Sequence, residues 1–363
     1  MKKCVRCGNV EIGGTAPVSI QSMLNVPTAD VRAAVIQIEK LKEAGCDIIR
    51  LSVPDQESAE AFGKIKQEVV HRYGEKAAPL VADIHFDYRL AVSAIKNGAD
   101  KIRINPGNIG ELAHIKAVTN AAKERSIPIR IGVNSGSLEK DILERDGKVT
   151  AKGIVESAIR NVKLLEGMDF DDIVVSIKSS SVPMTFEAYR MLDQQTDYPL
   201  HIGITESGIG DLGRIKSAIG IGALLLSGIG NTMRVSITGD PALEVQYAKE
   251  ILEIIGLRSS GIDIISCPTC GRTKVDLEKI VEEISKQLIP IKNRRNQQGK
   301  RRMTIAVMGC AVNGPGEASD ADLGVACGEG KGVIFSKGKI VTTVAETEII
   351  TELMKRAEDF EDI

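Results

Sequence analysis

Apolar residues along this chain fall into short continuous runs, separated by longer stretches in which they recur at helical spacing. The runs PVSIQSM (17–23), DIIRLSV (47–53), PLVADIH (79–85), KIRINPG (101–107), IPIRIGVN (127–134), DIVVSIK (172–178), PLHIGIT (199–205) and NTMRVSIT (231–238) are rich in Val and Ile. Continuous rather than alternating apolarity marks strands buried on both faces, as in a parallel sheet wrapped by helices. The stretches between them, such as DVRAAVIQIEKLKEAG (30–45) and LAVSAIKNGA (90–99), read as amphipathic helices closed by Gly or Asn-Gly. Eight such units over about 250 residues predict a closed (β/α)8 TIM barrel.

The pattern then changes. A helix opening at Asp240-Pro241, an acidic N-cap followed by Pro, and stopping at Gly256 should complete the barrel. LRSSG (257–261) follows as a linker. Beyond it come a cysteine turn, a helix over about 275–288, a strand TIAVMG (304–309), a hairpin around Ser336-Lys337-Gly338-Lys339 and a terminal helix from about Glu346. This order predicts a barrel domain over residues 1–257 and a small α+β domain over 262–363. A chain of 363 residues is long enough for both cores.

Composition narrows the function. The formal charge of −2 excludes a nucleic-acid binder, which needs a net basic face, so any anion affinity must be local. The stretch MKKCVRCGNVEIGG has no apolar segment after its lysines and does not read as a signal peptide. No run is long and apolar enough to span a membrane. The expected location is the cytoplasm, where an odd set of seven cysteines reads as metal ligands more readily than as disulfides.

The strongest chemical signal is Cys267-Pro268-Thr269-Cys270, joined by Cys310 in VMGCAVNGPGE (307–317). Thiolates at this spacing suit zinc or an iron–sulfur cluster, and the absence of His from the second domain weakens the case for zinc. A fourth ligand is available in Cys327, within the strand-like ADLGVACG, or in Glu317, within a Gly-Pro-Gly turn. A carboxylate there would leave one iron open to substrate. Cys46 and Cys327 read best as core residues, and Cys4 and Cys7 as an exposed turn with no partner pair.

A second signal lies in the barrel. Arg50, Arg103, Arg130, Lys178 and Arg234 each interrupt an apolar strand. A charge buried on a covered strand costs several kcal/mol unless paired, so these side chains should converge on each other's partners or on an anion at the C-terminal strand ends; as a set they read better as a phosphate clamp. Asp83, His85, Asn105, Asn134, Ser176, Glu206 and Ser236 fall at the same level. Glu206 is the expected proton donor, whereas His85 reads better as a satisfied barrel histidine. Gly208-Ile209-Gly210-Asp211-Leu212-Gly213 matches a dinucleotide fingerprint only literally; at this place in a barrel it would help hold a phosphate.

Taken together, VMGCAVNGPGEA, CPTCGRT, PVSIQSM, IRINPGNIG, RIGVNSGSL, HIGITESG and NTMRVSITGDP resemble the 4-hydroxy-3-methylbut-2-en-1-yl diphosphate synthases of the non-mevalonate isoprenoid pathway, nearly end to end. The bacterial two-domain form fits, since no large insertion separates the domains. The resemblance implies a reductive ring opening of 2-C-methyl-D-erythritol 2,4-cyclodiphosphate, with electrons from ferredoxin or flavodoxin passing through a [4Fe–4S] cluster. It assigns Cys267, Cys270, Cys310 and Glu317 as cluster ligands and Glu206 as the acidic residue near the substrate. It also implies a homodimer in which the cluster domain of one subunit closes over the barrel of the other. The linker agrees, because five residues span at most about 18 Å and a barrel is about 25 Å deep.

Two features depart from the family. Leu24 stands where QSMT is usual, and IPIKNRRNQQGKRR (289–302) is longer and more basic than expected. Its basic part, 292–302, reads as a solvated loop or a dock for an acidic electron carrier. Two alternatives remain beside the resemblance: a redox-inert phosphosugar lyase or aldolase with Lys178 as a Schiff-base lysine and a zinc-bearing appendage, and an electron carrier with a barrel scaffold.

Overall fold

The computed structural model describes residues 2–205, 207–259, 261–310 and 318–360. The chain divides into two compact units, Met1–Leu257 and Arg258–Ile363.

The first unit opens with an antiparallel hairpin, β1 (Cys4–Cys7) and β2 (Val10–Gly13). The barrel strands follow: β3 (Ser19–Met23), β4 (Ile48–Ser52), β5 (Leu80–Asp83), β6 (Lys101–Ile104), β7 (Ile129–Asn134), β8 (Ile173–Lys178), β9 (His201–Ile202) and β10 (Thr232–Met233). All pairs are parallel, in the order β8-β7-β6-β5-β4-β3-β10-β9. A parallel bridge between Val175 and Leu200, with the Val175 N–H donating to the Pro199 carbonyl, closes the ring. All eight expected strands form. The last two are shorter than their apolar runs, because beyond Ile202 and Met233 the backbone leaves the ladder and passes into the rim.

Each strand turns one set of side chains outward. Ile49, Leu51, Ile102, Ile104, Ile129, Ile131, Val175 and Ile177 join a continuous core beneath the surrounding helices. Those helices begin where the sequence places caps. Asp30 and Asp240 accept hydrogen bonds from Ala33 and Ala242 at the first turns of Val31–Glu43 and Pro241–Ile254. At the N-terminal end of the barrel, Val5, Cys7 and Ile12 of the hairpin pack on Ile48, Val81 and Val174 and seal the floor. Cys4 and Cys7 therefore lie on a strand rather than in an exposed turn. Positions three apart on a strand face opposite sides, so Cys4 is exposed and Cys7 buried, and the pair cannot grip one metal.

The second unit is a five-stranded mixed sheet: β11 (Ile262–Ser266), β12 (Met303–Met308), β13 (Leu323–Gly328), β14 (Lys331–Ser336) and β15 (Lys339–Ala345). The first three are parallel and the last two antiparallel. The turn at Lys337-Gly338 has both φ angles positive, 50° and 72°, as a tight hairpin requires. Helices Leu277–Gln297 and Ile349–Glu358 cover one face through Ile284, Leu288, Ile291 and Leu353. The basic segment expected as a loop is thus largely the end of a helix. Leu288, Ile291 and Arg295 continue its buried stripe, and Arg295 donates to the carbonyls of Gly261 and Arg301. Pro290 sits within the helix without ending it. No helix among the described residues is long and apolar enough to cross a membrane.

Candidate functional site

The strand registers fix which inward-facing residues share a level. Gln21 pairs with Ile48, Arg50 with Val81, Val81 with Lys101, Arg103 with Arg130, Arg130 with Val174, and His201 with Thr232. Because strands in a closed barrel are tilted, each level draws its four side chains from alternate strands. Ile48, Lys101, Val174 and Thr232 make one level. Gln21, Val81, Arg130 and His201 make the next, and Arg50, Arg103, Ser176 and Arg234 the third. Met23, Asp83, Gly132 and Gly203 form the fourth.

This stacking explains the cavity at the C-terminal end of the strands. Two of the four residues in the fourth level are glycines, so the barrel axis is left open above three arginines. The resulting cavity of about 240 Å³ is lined by Arg50, Arg103, Arg130, Lys178 and Arg234, with Asp83, His85, Asn134, Ser176, Thr205 and Ser236. The five strand-borne cations of the sequence thus meet in one place. The glycines are structural requirements. A Cβ on Gly132 would stand 2.3 Å from Arg103 Nε, and one on Gly203 would stand 2.6 Å from the Arg234 carbonyl and 3.0 Å from Lys178 Nζ.

Two described carboxylates hold this cluster. Asp83 faces Arg103 Nη1 at 3.3 Å and Arg50 Nε at 3.7 Å. Glu244, on Pro241–Ile254, takes Arg234 in a bidentate pair with both contacts at 3.0 Å and also accepts from Ser22. Arg50 further donates to the Met23 sulfur. Burial opposes ionisation of Asp83, yet Arg50, Arg103 and Arg130 outweigh it and hold the carboxyl at about 2. Lys178 shows the opposite strain. Burial first, then Arg130, Arg50 and Arg234, hold its ammonium well below the ordinary lysine range. Arg130 is buried with Nε and Nη1 unpartnered. Positive charge outweighs negative in this group, and an oxyanion with several acceptors is the chemistry that completes it.

Other expected residues fall elsewhere. Asn105 is not among the residues lining the cavity; it caps Pro106–Ile109, accepting from the Gly107 N–H at 3.2 Å. None of the residues lining the cavity comes from the Gly208–Gly213 turn, where a Cβ on Gly213 would instead meet the Gly208 carbonyl at 2.8 Å. Glu206 and Glu317 lie outside the described residues. Sequence reading missed Thr205 and Glu244. The signal for Glu244 was present, since it is a carboxylate beside Val245 and on the stripe of Ala248 and Ile251, the buried face of its helix.

In the second unit the parallel pairing of β11 and β12 sets Ser266 beside Val307, so Cys267 and Cys310 follow the C-terminal ends of neighbouring strands. The Gly309 N–H donates to Cys267 Sγ at 3.2 Å, an orientation that supports a thiolate ligand. Cys270 is exposed, and hydrogen bonds from the Arg272 backbone and side chain hold its thiol below the ordinary value. Cys327 lies in the apolar core under the helices, where burial pushes its thiol up to about 11. Among the described residues no group of three possible metal ligands is already gathered. The donor set Cys267, Cys270 and Cys310 nonetheless has the soft thiolate chemistry that iron–sulfur clusters take.

A closed barrel with a cationic mouth, followed by a thiol-bearing α+β module, defines a two-domain barrel protein. Family models described as the GcpE TIM-barrel domain and the GcpE protein C-terminal domain match residues 2–249 and 263–359. The chain belongs to the GcpE family, and it is an enzyme. It is 54% identical over 354 residues to the 4-hydroxy-3-methylbut-2-en-1-yl diphosphate synthase (flavodoxin) of Caldanaerobacter subterraneus subsp. tengcongensis, covering 98% of this chain and 96% of that one. The enzyme of the same name from Ruminiclostridium cellulolyticum is 53% identical over 353 residues, with 97% and 96% covered. Among solved structures, the type I 3-dehydroquinate dehydratase of Clostridium difficile aligns with a TM-score of 0.51 at 16% identity, over 70% of this chain and 99% of that one, a likeness of fold alone.

Proposed function

We propose that this chain catalyses the reductive opening of 2-C-methyl-D-erythritol 2,4-cyclodiphosphate to 4-hydroxy-3-methylbut-2-en-1-yl diphosphate, consuming two electrons and two protons and releasing water. The observation that carries the reading is the cavity in which five cations face two described carboxylates. A cyclic diphosphate supplies the missing negative charge, and each charge-assisted contact contributes about 1.5–3 kcal/mol. Its charge would draw Lys178 back to the ammonium form. Asp83 and Glu244 hold Arg50, Arg103 and Arg234 in place before substrate arrives, so little ordering remains to be done on binding. Ser176 and Ser236 line the cavity, where the Ser236 hydroxyl would meet the hydroxyl groups of the sugar-derived part, and Glu206 would donate the proton that turns the departing oxygen into water.

A [4Fe–4S] cluster held by Cys267, Cys270, Cys310 and Glu317 would supply the electrons one at a time. Ferredoxin or flavodoxin would reload it, the latter being the donor in the relatives' name. The short linker supports a homodimer whose active sites each draw on two chains. The test is anaerobic reconstitution with iron and sulfide, followed by turnover with reduced flavodoxin. Brown protein that forms the allylic diphosphate is expected; iron-loaded protein that binds the cyclodiphosphate but never reduces it under any low-potential donor overturns the reading.

A further inference from the structure

Below the cationic mouth the barrel is filled differently from its apolar surroundings. Lys101, Gln21, Arg130 and His201 point inward on two successive levels, with Ser19 one level lower, and all are buried. Barrel interiors at this depth are ordinarily packed with Val, Ile and Leu. Here Lys101 Nζ, Arg130 Nε and Nη1, both amide atoms of Gln21, His201 Nε2 and Ser19 Oγ have no hydrogen-bond partner. Such groups cost free energy unless something satisfies them.

The imbalance among these atoms identifies what that is. Lys101 and Arg130 only donate, the Gln21 amide nitrogen only donates, and Gln21 Oε1 alone must accept. No inward-facing residue of these levels is a carboxylate. The nearest acids are engaged elsewhere: Asp100 accepts from Lys66 and the Leu80 N–H, and Asp83 faces Arg50 and Arg103. Cys7, on the hairpin beneath, is no counter-ion, because burial raises its thiol to about 11 and keeps it neutral. A water molecule brings as many donors as acceptors and leaves the excess unchanged, whereas a small anion only accepts.

We propose that the barrel floor holds a site for a small monovalent inorganic anion, of the size and charge of a halide, between Lys101, Gln21 and Arg130. The ion would sit beneath the substrate cavity and separate from it, screening the floor's positive charge from the arginines above. It would also keep Lys101 charged to higher pH, against the burial that lowers its value to about 8.

The experiment is diffraction at the bromine absorption edge from holoenzyme crystals grown in sodium bromide, with inorganic pyrophosphate added to fill the mouth. An anomalous peak bounded by Lys101, Gln21 and Arg130 is expected. Bromide found only at the mouth, or nowhere in the barrel, overturns the site. In solution, the thermal midpoint in sodium chloride should exceed that in sodium gluconate of equal ionic strength by about 2–4 °C. The difference should vanish in Lys101→Met. Gln21→Leu, which keeps the lysine, serves should that variant fail to fold. Chloride stabilisation retained in full by the folded variants would also overturn the proposal.

Discussion

The guanidinium of Arg103 lies across the backbone of Gly132. Its Nη2 donates to the Gly132 carbonyl at 3.2 Å, and its Nε occupies the space that a side chain at 132 would need. One hydrogen atom in place of a methyl group thus sets where a cation of the cavity points. Gly132→Ala should displace Arg103 and weaken binding of the cyclodiphosphate by about ten- to a hundredfold, as Arg103→Ala does directly. Calorimetric titration of both variants checks this, and unchanged affinity in Gly132→Ala would show that Arg103 does not bind the substrate.

Arg234 depends on Glu244 in the same way. Glu244→Gln keeps the shape but leaves Arg234 partly buried without its bidentate partner. The variant should lose about 3–5 kcal/mol of stability in denaturant unfolding of the apoprotein. A loss under about 1 kcal/mol would mean that Arg234 finds another acceptor.

For the second domain, Cys267→Ser, Cys270→Ser and Cys310→Ser should each abolish iron binding, whereas Cys327→Ser should retain it. Cys327 sits in the core, so its replacement should appear as a stability loss of about 1–3 kcal/mol from burying a hydroxyl. Iron analysis beside a melting curve separates the two effects; iron lost equally from the Cys327 variant would move the fourth ligand away from Glu317.

Lys101 gives a pH signature. Its folded value is lowered by burial to about 8, against about 10.4 for a free lysine. Between these values the unfolded chain binds the extra proton, so stability contributed by this residue rises with pH across that window and is flat below it. Wild type should gain about 3 kcal/mol relative to Lys101→Met between pH 8 and 10.4 in gluconate buffer. A constant difference between the two would show that Lys101 stays charged.

Subunit sharing can be read by complementation. Glu206→Gln and Cys310→Ser should each be inactive alone. After subunit exchange, half of the dimers carry both variants and each has one intact composite site, restoring up to about a quarter of wild-type activity. No recovery despite proven exchange would mean that each chain closes on itself.

The barrel was legible because strands covered on both faces need continuous apolar runs, and Arg50, Arg103, Arg130, Lys178 and Arg234 stood out against those runs. That they converge followed from all lying near C-terminal strand ends. What pairs with them was less visible, since Glu244 reaches Arg234 from a helix and Asn105, though level with the others, is taken by a local cap. The helix ending at Gln297 ran past its expected stop because Ile291 and Arg295 still had a surface to cover, which Pro290 and the basic composition concealed. The hairpin at the floor was invisible for a simpler reason: its partners Ile48, Val81 and Val174 are strand residues whose inward or outward direction only the closed ring decides.

That hairpin also imposes an order of events. Residues 2–13 are synthesised before any barrel strand, yet their anchors are Val174 on β8 and the segment after it, where the Lys3 N–H donates to the Asp197 carbonyl and Lys2 pairs with Asp193. They can reach their final place only once most of the ring exists. A hairpin made before the barrel strands therefore docks after most of them have formed, and its docking reports that the barrel has closed.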